Sequence, residues 1–147
     1  MTSQPISCLV ADPEEQVRDY VESSLASAAA ALGLEVVTTT VDDGRAALQA
    51  LRSRAPGLVV AEVLLETVNG LQLLRHCRDS VDTSRARWIF VTSLTDDTDR
   101  YWATLNDCDE YLTKPLDGAA LSAVLKKHLE CISRQEERTP RPQESAR

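Results

Sequence analysis

Four residues of this chain carry the side chains of a reaction centre, and each follows a short apolar run. Asp12 comes after Leu9-Val10-Ala11, Glu62 after Leu58-Val59-Val60-Ala61, Thr92 after Ile89-Phe90-Val91, and Lys114 after Tyr111-Leu112-Thr113. Runs of this length and composition read as buried strands. Two carboxylates, a hydroxyl and an ammonium collected at strand ends form the layout of a pocket that accepts a phosphoryl group. Such a transfer depends mainly on positioning and on neutralising charge.

The elements that must position these groups alternate along the chain. Ile6 to Ala11 reads as a strand. Asp12-Pro13-Glu14-Glu15 then reads as a helix start, with a capping Asp, Pro at the first helical position, acids in the first turn and Glu15 closing a capping box. Val17, Val21, Leu25, Ala28 and Leu32 continue at helical spacing, and Gly33 stops them. A β-branched strand follows from Glu35 to Val41, Asp43-Gly44 turns the chain, and Ala47, Leu48 and Leu51 mark a helix that ends before Pro56. Leu58 to Val63 reads as a central strand and Leu71, Leu74 and Cys77 as a helix entered through Asn69-Gly70. Trp88 to Thr92 reads as a strand, Thr95 to Leu105 as a helix and Glu110 to Thr113 as a strand. Asp117 caps a last helix bearing Leu121, Val124, Leu125, His128, Leu129 and Ile132. Five strands alternating with five helices imply an α/β fold, a parallel sheet covered on both faces, with ligands at the C-terminal strand ends.

Composition bounds the rest. The 147 residues fit one domain, read as 1–132, followed by a polar tail, 133–147, expected to be disordered. A net charge of −7 argues against nucleic-acid binding. No apolar run approaches the ~20 residues that span a bilayer, so no membrane segment is expected. The start of the chain does not read as a signal peptide. Cys8, Cys77, Cys108 and Cys131 form no metal or redox spacing and point to a reducing cytoplasm. His76 and His128 lie on helical stripes and are not expected to be ligands or phosphoryl carriers.

Taken together, Leu9-Val10-Ala11-Asp12, Asp43-Gly44 with Ala47-Leu48, Pro56 through Gly70, Ile89-Phe90-Val91-Thr92-Ser93 and Tyr111-Leu112-Thr113-Lys114-Pro115 resemble the receiver domain of response regulators, near the chemotaxis-regulator type. The resemblance covers nearly everything before the tail. It implies a flavodoxin-like (βα)5 fold with strand order 2-1-3-4-5. It also implies that Glu62 stands where the family's phosphoacceptor aspartate does, that Thr92 and Lys114 match its hydroxyl and lysine, and that Tyr111 matches its switch aromatic. Pro115 would follow a cis bond, and partners would dock on the face made by the fourth helix, fifth strand and fifth helix. Tyr101 and Trp102 in the fourth helix are candidate anchors there, one of them expected in the core and the other exposed. The chain departs from the family at Glu62, at Pro13 where a second metal-binding acid is usual, at Glu66 where a proline is, at Asn69 where an acid precedes the helix glycine, and at Asp107 where a glycine is common.

Those departures matter chemically. A glutamate carries its carboxylate roughly 1.5 Å further out than an aspartate, and a misplacement of about 1 Å can cost ~100-fold in rate. Pro13 offers Mg²⁺ no oxygen, Glu14 points poorly along its helix, and Asp12 with Glu62 remains the only pair for a weak Mg²⁺ site; no other cofactor is implied. Plainer roles stand beside these. Asp12 can simply cap the first helix, Glu62 can be a solvated acid or pair with Lys114, Thr92 and Tyr111 can be ordinary strand residues, and Lys114-Pro115 can be a turn. The reading expected to hold is a non-enzymatic, cytoplasmic pseudo-receiver that acts through protein contacts, with a histidine kinase or a downstream effector as partner. A working phosphorelay receiver, one that tolerates these departures or uses another acid such as Glu66 or Asp42, is the alternative. A small flavodoxin-like enzyme or nucleotide binder is a third reading, unsupported by any glycine-rich loop. Output is expected to come from a partner.

Overall fold

A computed structural model describes residues 4–135. Ten elements alternate along the chain: β1 (Ile6–Ala11), α1 (Glu15–Ala31), β2 (Val36–Val41), α2 (Gly44–Ser53), β3 (Leu58–Ala61), α3 (Gly70–Asp79), β4 (Arg87–Thr92), α4 (Asp97–Leu105), β5 (Glu110–Thr113) and α5 (Gly118–Ser133). The five strands form one parallel sheet in the order β2-β1-β3-β4-β5, as expected. Strand alternation splits the core in two. Leu9, Ala11, Val59, Ala61, Trp88 and Phe90 face Leu51, Leu73, Leu74 and Ala103 of α2 to α4. Cys8, Val10, Leu58, Val60, Ile89 and Val91 face Val21, Leu25, Leu121, Leu125 and Leu129 of α1 and α5. The central strands β3 and β4 are buried on both faces, which is why they read as unbroken apolar runs. Trp88 is fully buried, packs edge-on to Phe90 at 5.8 Å, and its indole N–H has no hydrogen-bond partner among the described residues.

The start of α1 corrects the sequence reading. Asp12 does not cap it and Pro13 is not its first residue: α1 begins at Glu15, with Glu14 as N-cap and no side-chain cap bond. Asp12 instead turns its side chain on the loop, its Oδ1 accepting the Glu14 N–H at 2.9 Å, while its other oxygen is drawn toward Lys114. The other caps form at Asp43, Asn69 and Asp117, and Asn69 with Gln72 makes a complete capping box. Gly44 opens α2 rather than sitting in a turn, and a Cβ there would lie 1.7 Å from the Val68 carbonyl oxygen. The fourth helix starts two residues later than expected, at Asp97. Asp107, where the family commonly has glycine, adopts φ +69°, the left-handed conformation that glycine takes without penalty. α5 runs through Ser133, and residues 136–147 of the polar tail lie outside the described residues.

Candidate functional site

Each corner of the pocket is delivered by the C-terminal end of a strand. β1 leads into Asp12, β3 into Glu62, β4 ends on Thr92 and β5 leads into Lys114. The register levels them: Ala11 pairs with Ala61, Ala61 with Phe90, and Thr92 with Thr113. A cis Lys114–Pro115 bond follows the fifth strand. Asp12, Glu62 and Thr92 are all buried.

Lys114 holds the centre. Its Nζ lies 2.9 Å from Asp12 Oδ2, 3.1 Å from Glu62 Oε1 and 3.2 Å from Glu14 Oε1. Glu62 is bonded at both oxygens. Oε2 accepts the Thr92 hydroxyl and the Leu64 N–H at 3.0 Å, and Oε1 accepts the Ser93 N–H at 3.2 Å beside the ammonium. The Thr92 oxygen in turn accepts the Leu94 N–H at 3.2 Å, and the Leu94 carbonyl accepts the Tyr111 hydroxyl at 2.9 Å. The Arg100 guanidinium lies 4.6 Å from the centre of the Tyr111 ring and donates to the Tyr111 carbonyl at 3.3 Å. A continuous chain of contacts thus leads from Glu62 to α4.

The two buried carboxylates titrate in opposite directions because their donors differ. Burial pushes both upward. For Glu62, bonds from Thr92, Leu64 and Lys114 outweigh burial and hold the carboxyl below its usual value. For Asp12, burial prevails over the Glu14 N–H and Lys114, with the Glu62 charge adding to it, and the value rises. Burial works against the Lys114 ammonium, but Asp12 and Glu62 outweigh it and raise its pKa. Burial, with the nearby Asp99 charge, pushes Tyr111 up to about 12.

These residues are a poor match to Mg²⁺, which needs near-octahedral oxygen ligands. The Asp12 and Glu62 oxygens already face an ammonium, and Pro13 contributes none. Among the described residues, no cluster of acids, histidines and cysteines has the arrangement of a metal site.

The four corners named from the sequence meet as expected, with Glu62 paired to Lys114 and Tyr111 adjoining through Leu94. Glu14 corrects the reading that its direction keeps it out: as the N-cap its backbone is extended (φ −95°, ψ 121°), not helical, and this lets the side chain reach the ammonium. Arg18, one turn further on, donates to the Asp12 carbonyl at 2.9 Å, a contact six positions apart that helical spacing does not signal. The backbone donors of Leu64 and Ser93 had no sequence signal. Tyr101 and Trp102 also depart from expectation. Both are exposed, at 55% and 48%, because the nine-residue α4 buries only Ala103. Their rings meet edge-on at 5.7 Å. His128 is buried at the other end of the sheet, its Nε2 2.8 Å from Glu110 Oε2 and its Nδ1 3.1 Å from Arg87 Nη1.

Residues 8–126 match the family model described as the response regulator receiver domain. Response regulator Rre1 of Synechocystis is 26% identical over 145 residues, covering 99% of this chain and 59% of that protein. A probable transcriptional regulator, ycf27 of Galdieria sulphuraria, is 31% identical over 118 residues, 80% of this chain and 43% of the relative. The chain therefore spans about half the length of these relatives. Among solved structures, the signal receiver domain of a signal transduction histidine kinase from Syntrophus aciditrophicus superposes with a TM-score of 0.75 at 23% identity, over 91% of this chain and 97% of that one. The chemotaxis response regulator CheY4 of Vibrio cholerae gives 0.73 at 19% identity, over 85% and 99%. Both agree with this chain in fold. Among the described residues no helix is long and apolar enough to cross a membrane.

Proposed function

The chain belongs to the response regulator receiver domain family, and from that premise we propose that it is a pseudo-receiver, a non-enzymatic cytoplasmic signalling domain that works through protein contacts without its own phosphorylation. The observation that carries this reading is the engagement of Glu62. An acceptor carboxylate must present a free oxygen in line with phosphorus, with cations to absorb the charge. Both Glu62 oxygens are instead bonded, to Thr92, Leu64, Ser93 and Lys114, and the ammonium that would meet an incoming phosphoryl group is already surrounded by Asp12, Glu14 and Glu62. Pro13 removes the second metal-binding acid at the same place.

In this reading Glu62 is also the permanent occupant of the pocket. It draws the Thr92 hydroxyl as a bound anion would, and the path through Leu94, Tyr111 and Arg100 gives the pocket a route to α4. A group that contacts only one of two conformations shifts the balance to it, so the domain would be biased to one state without a kinase. Its partner, a histidine kinase or a downstream effector, would meet the α4–β5–α5 face. Glu62→Gln keeps the shape and removes the charge; unchanged partner binding by that variant would sink the mimicry while leaving the pseudo-receiver reading intact.

The test of the main reading is intact-mass spectrometry after incubation with Mg²⁺ and acetyl phosphate. The native chain is expected to gain no phosphate, and the Pro13→Asp/Glu62→Asp variant to gain one. An adduct on the native chain overturns the proposal and makes this a working phosphorelay receiver.

A further inference from the structure

The exposed aromatic pair is explained neither by the core nor by the pocket. Tyr101 and Trp102 stand side by side on α4, whereas the other exposed large apolar residues are scattered, Tyr20 on α1, Val37 on β2 and Leu64 and Val81 in loops. Arg100 fixes the orientation of α4, because it turns toward Tyr111 of β5. Each helical position rotates by about 100°. Tyr101 therefore points outward and Trp102 lies on the flank away from β5, with Thr98 and Leu105 one turn to either side. This surface is separate from the one that β5 and α5 share with the helix.

We propose that this outer flank of α4 docks a basic, amphipathic protein segment, with Tyr101 and Trp102 as its anchors. The proposal rests on the reading of the chain as a protein-binding domain and adds a second surface, beside the α4–β5–α5 face on which the resemblance placed Tyr101 and Trp102, together with the chemistry of what it binds. Exposed paired aromatics supply large contact area at small entropic cost and dominate binding where they occur. Acids lead the N-terminal half of this flank, while Arg100 is turned away to Tyr111 and Arg75 and Arg78 lie at the far end beside Leu105. Asp96 and Asp97 are exposed and Asp97 lies one turn before Tyr101. The Asp96 side chain makes no cap bond, and neither residue is ion-paired among the described residues. Acids in a first turn suit the helix dipole, but these leave their charge facing solvent. A chain of net charge −7 repels nucleic acids and anionic lipid surfaces and attracts Lys and Arg, which the aromatic faces also favour. The segment that fits carries Lys or Arg one helical turn from an apolar anchor.

A random peptide library displayed on phage, selected against the native chain, tests this without assuming a sequence. The expected winners are rich in Lys or Arg with one or two large apolar residues. Their binding should fall at least about tenfold in Tyr101→Ala/Trp102→Ala. It should weaken with salt, and less steeply so in Asp96→Asn/Asp97→Asn. Neutral or acidic winners, absence of enrichment, or binding indifferent to both double variants overturns the proposal. A concentration-dependent dimer in sedimentation that is lost in Trp102→Ala also overturns it, by assigning the flank to a second copy. Phosphate uptake measured on the same preparation reports on the pseudo-receiver reading alone, so the two ideas fail separately.

Discussion

The two ends of the sheet hold buried charge in opposite proportions. At the C-terminal strand ends, Lys114 is shared by Asp12, Glu14 and Glu62, so carboxylates outnumber the cation. At the N-terminal ends, Glu110 of β5 is the acid shared by His128 and Lys127, with Arg87 of β4 on the far side of the imidazole. Arg87 donates to Nδ1, which makes His128 the neutral Nε2–H form that donates to Glu110. His128 and Glu110 tie α5 to the sheet. The pocket, by contrast, gathers side chains from four strand ends and stays acidic even with its lysine in place. A cluster of the first kind anchors an element, while one of the second keeps charge that a small change can release.

Removing the shared member of each cluster should give the largest effects. Lys114→Met leaves two buried carboxylates facing each other without a cation, and is expected to cost about 3 kcal/mol in urea unfolding. A loss below about 1 kcal/mol would mean that the pocket opens to water and that its closed network is not what holds it. Glu110→Ala should cost less, about 2 kcal/mol, because Glu110 is partly solvated, Lys127 beside it can turn outward, and the buried His128 loses one hydrogen bond and no charge partner. If it costs more than Lys114→Met, the contrast between the two ends is reversed.

Glu62→Gln sharpens the comparison through pH. The folded pKa of Glu62 lies below its unfolded value of 4.5, so its charge stabilises the fold above that pH, and the contribution is lost as pH falls through the folded value. Lys114 has the opposite sign: its folded pKa is raised above 10.5, so its contribution is complete below that pH and fades as pH rises further. The native chain should therefore exceed Glu62→Gln by about 1 kcal/mol at neutral pH, and the gap should close in acid below 4.5. A gap that is flat through the acid range would show that the Glu62 carboxyl is not charged in the fold. The smallest effect belongs to Lys127→Ala. Its side chain is 65% exposed, so its bridge to Glu110 is screened, and the loss should stay under about 0.5 kcal/mol.

What the sequence made legible follows from the same contrast between local and distant forces. The strands and their polar ends could be read because β1, β3 and β4 are apolar on both faces and each ends abruptly in a polar residue, whereas their order came only with the resemblance to receiver domains. The start of α1 could not. Asp12-Pro13-Glu14-Glu15 is a good capping sequence, but Lys114, distant in the chain, claims the Asp12 carboxylate and moves the helix start along. Glu14 was misjudged for the same reason, since its reach depends on where that helix begins. The paired exposure of Tyr101 and Trp102 was hidden because helical spacing says that neighbours diverge, not how deeply the helix sits. Asp107 is the converse case: its left-handed backbone matches the place where the family commonly has glycine, although its side chain gave no local sign of it.

The two tryptophans give the domain an optical signature of its own. Trp88 is sealed against Phe90 in the core, while Trp102 is half open to solvent on α4. Their emission should separate into a blue component blind to added quencher and a red one that quencher removes. Unfolding would merge the two colours, and a ligand seated on α4 would shield the red component alone. One unlabelled sample can therefore report loss of the fold and occupation of the helix as distinct signals.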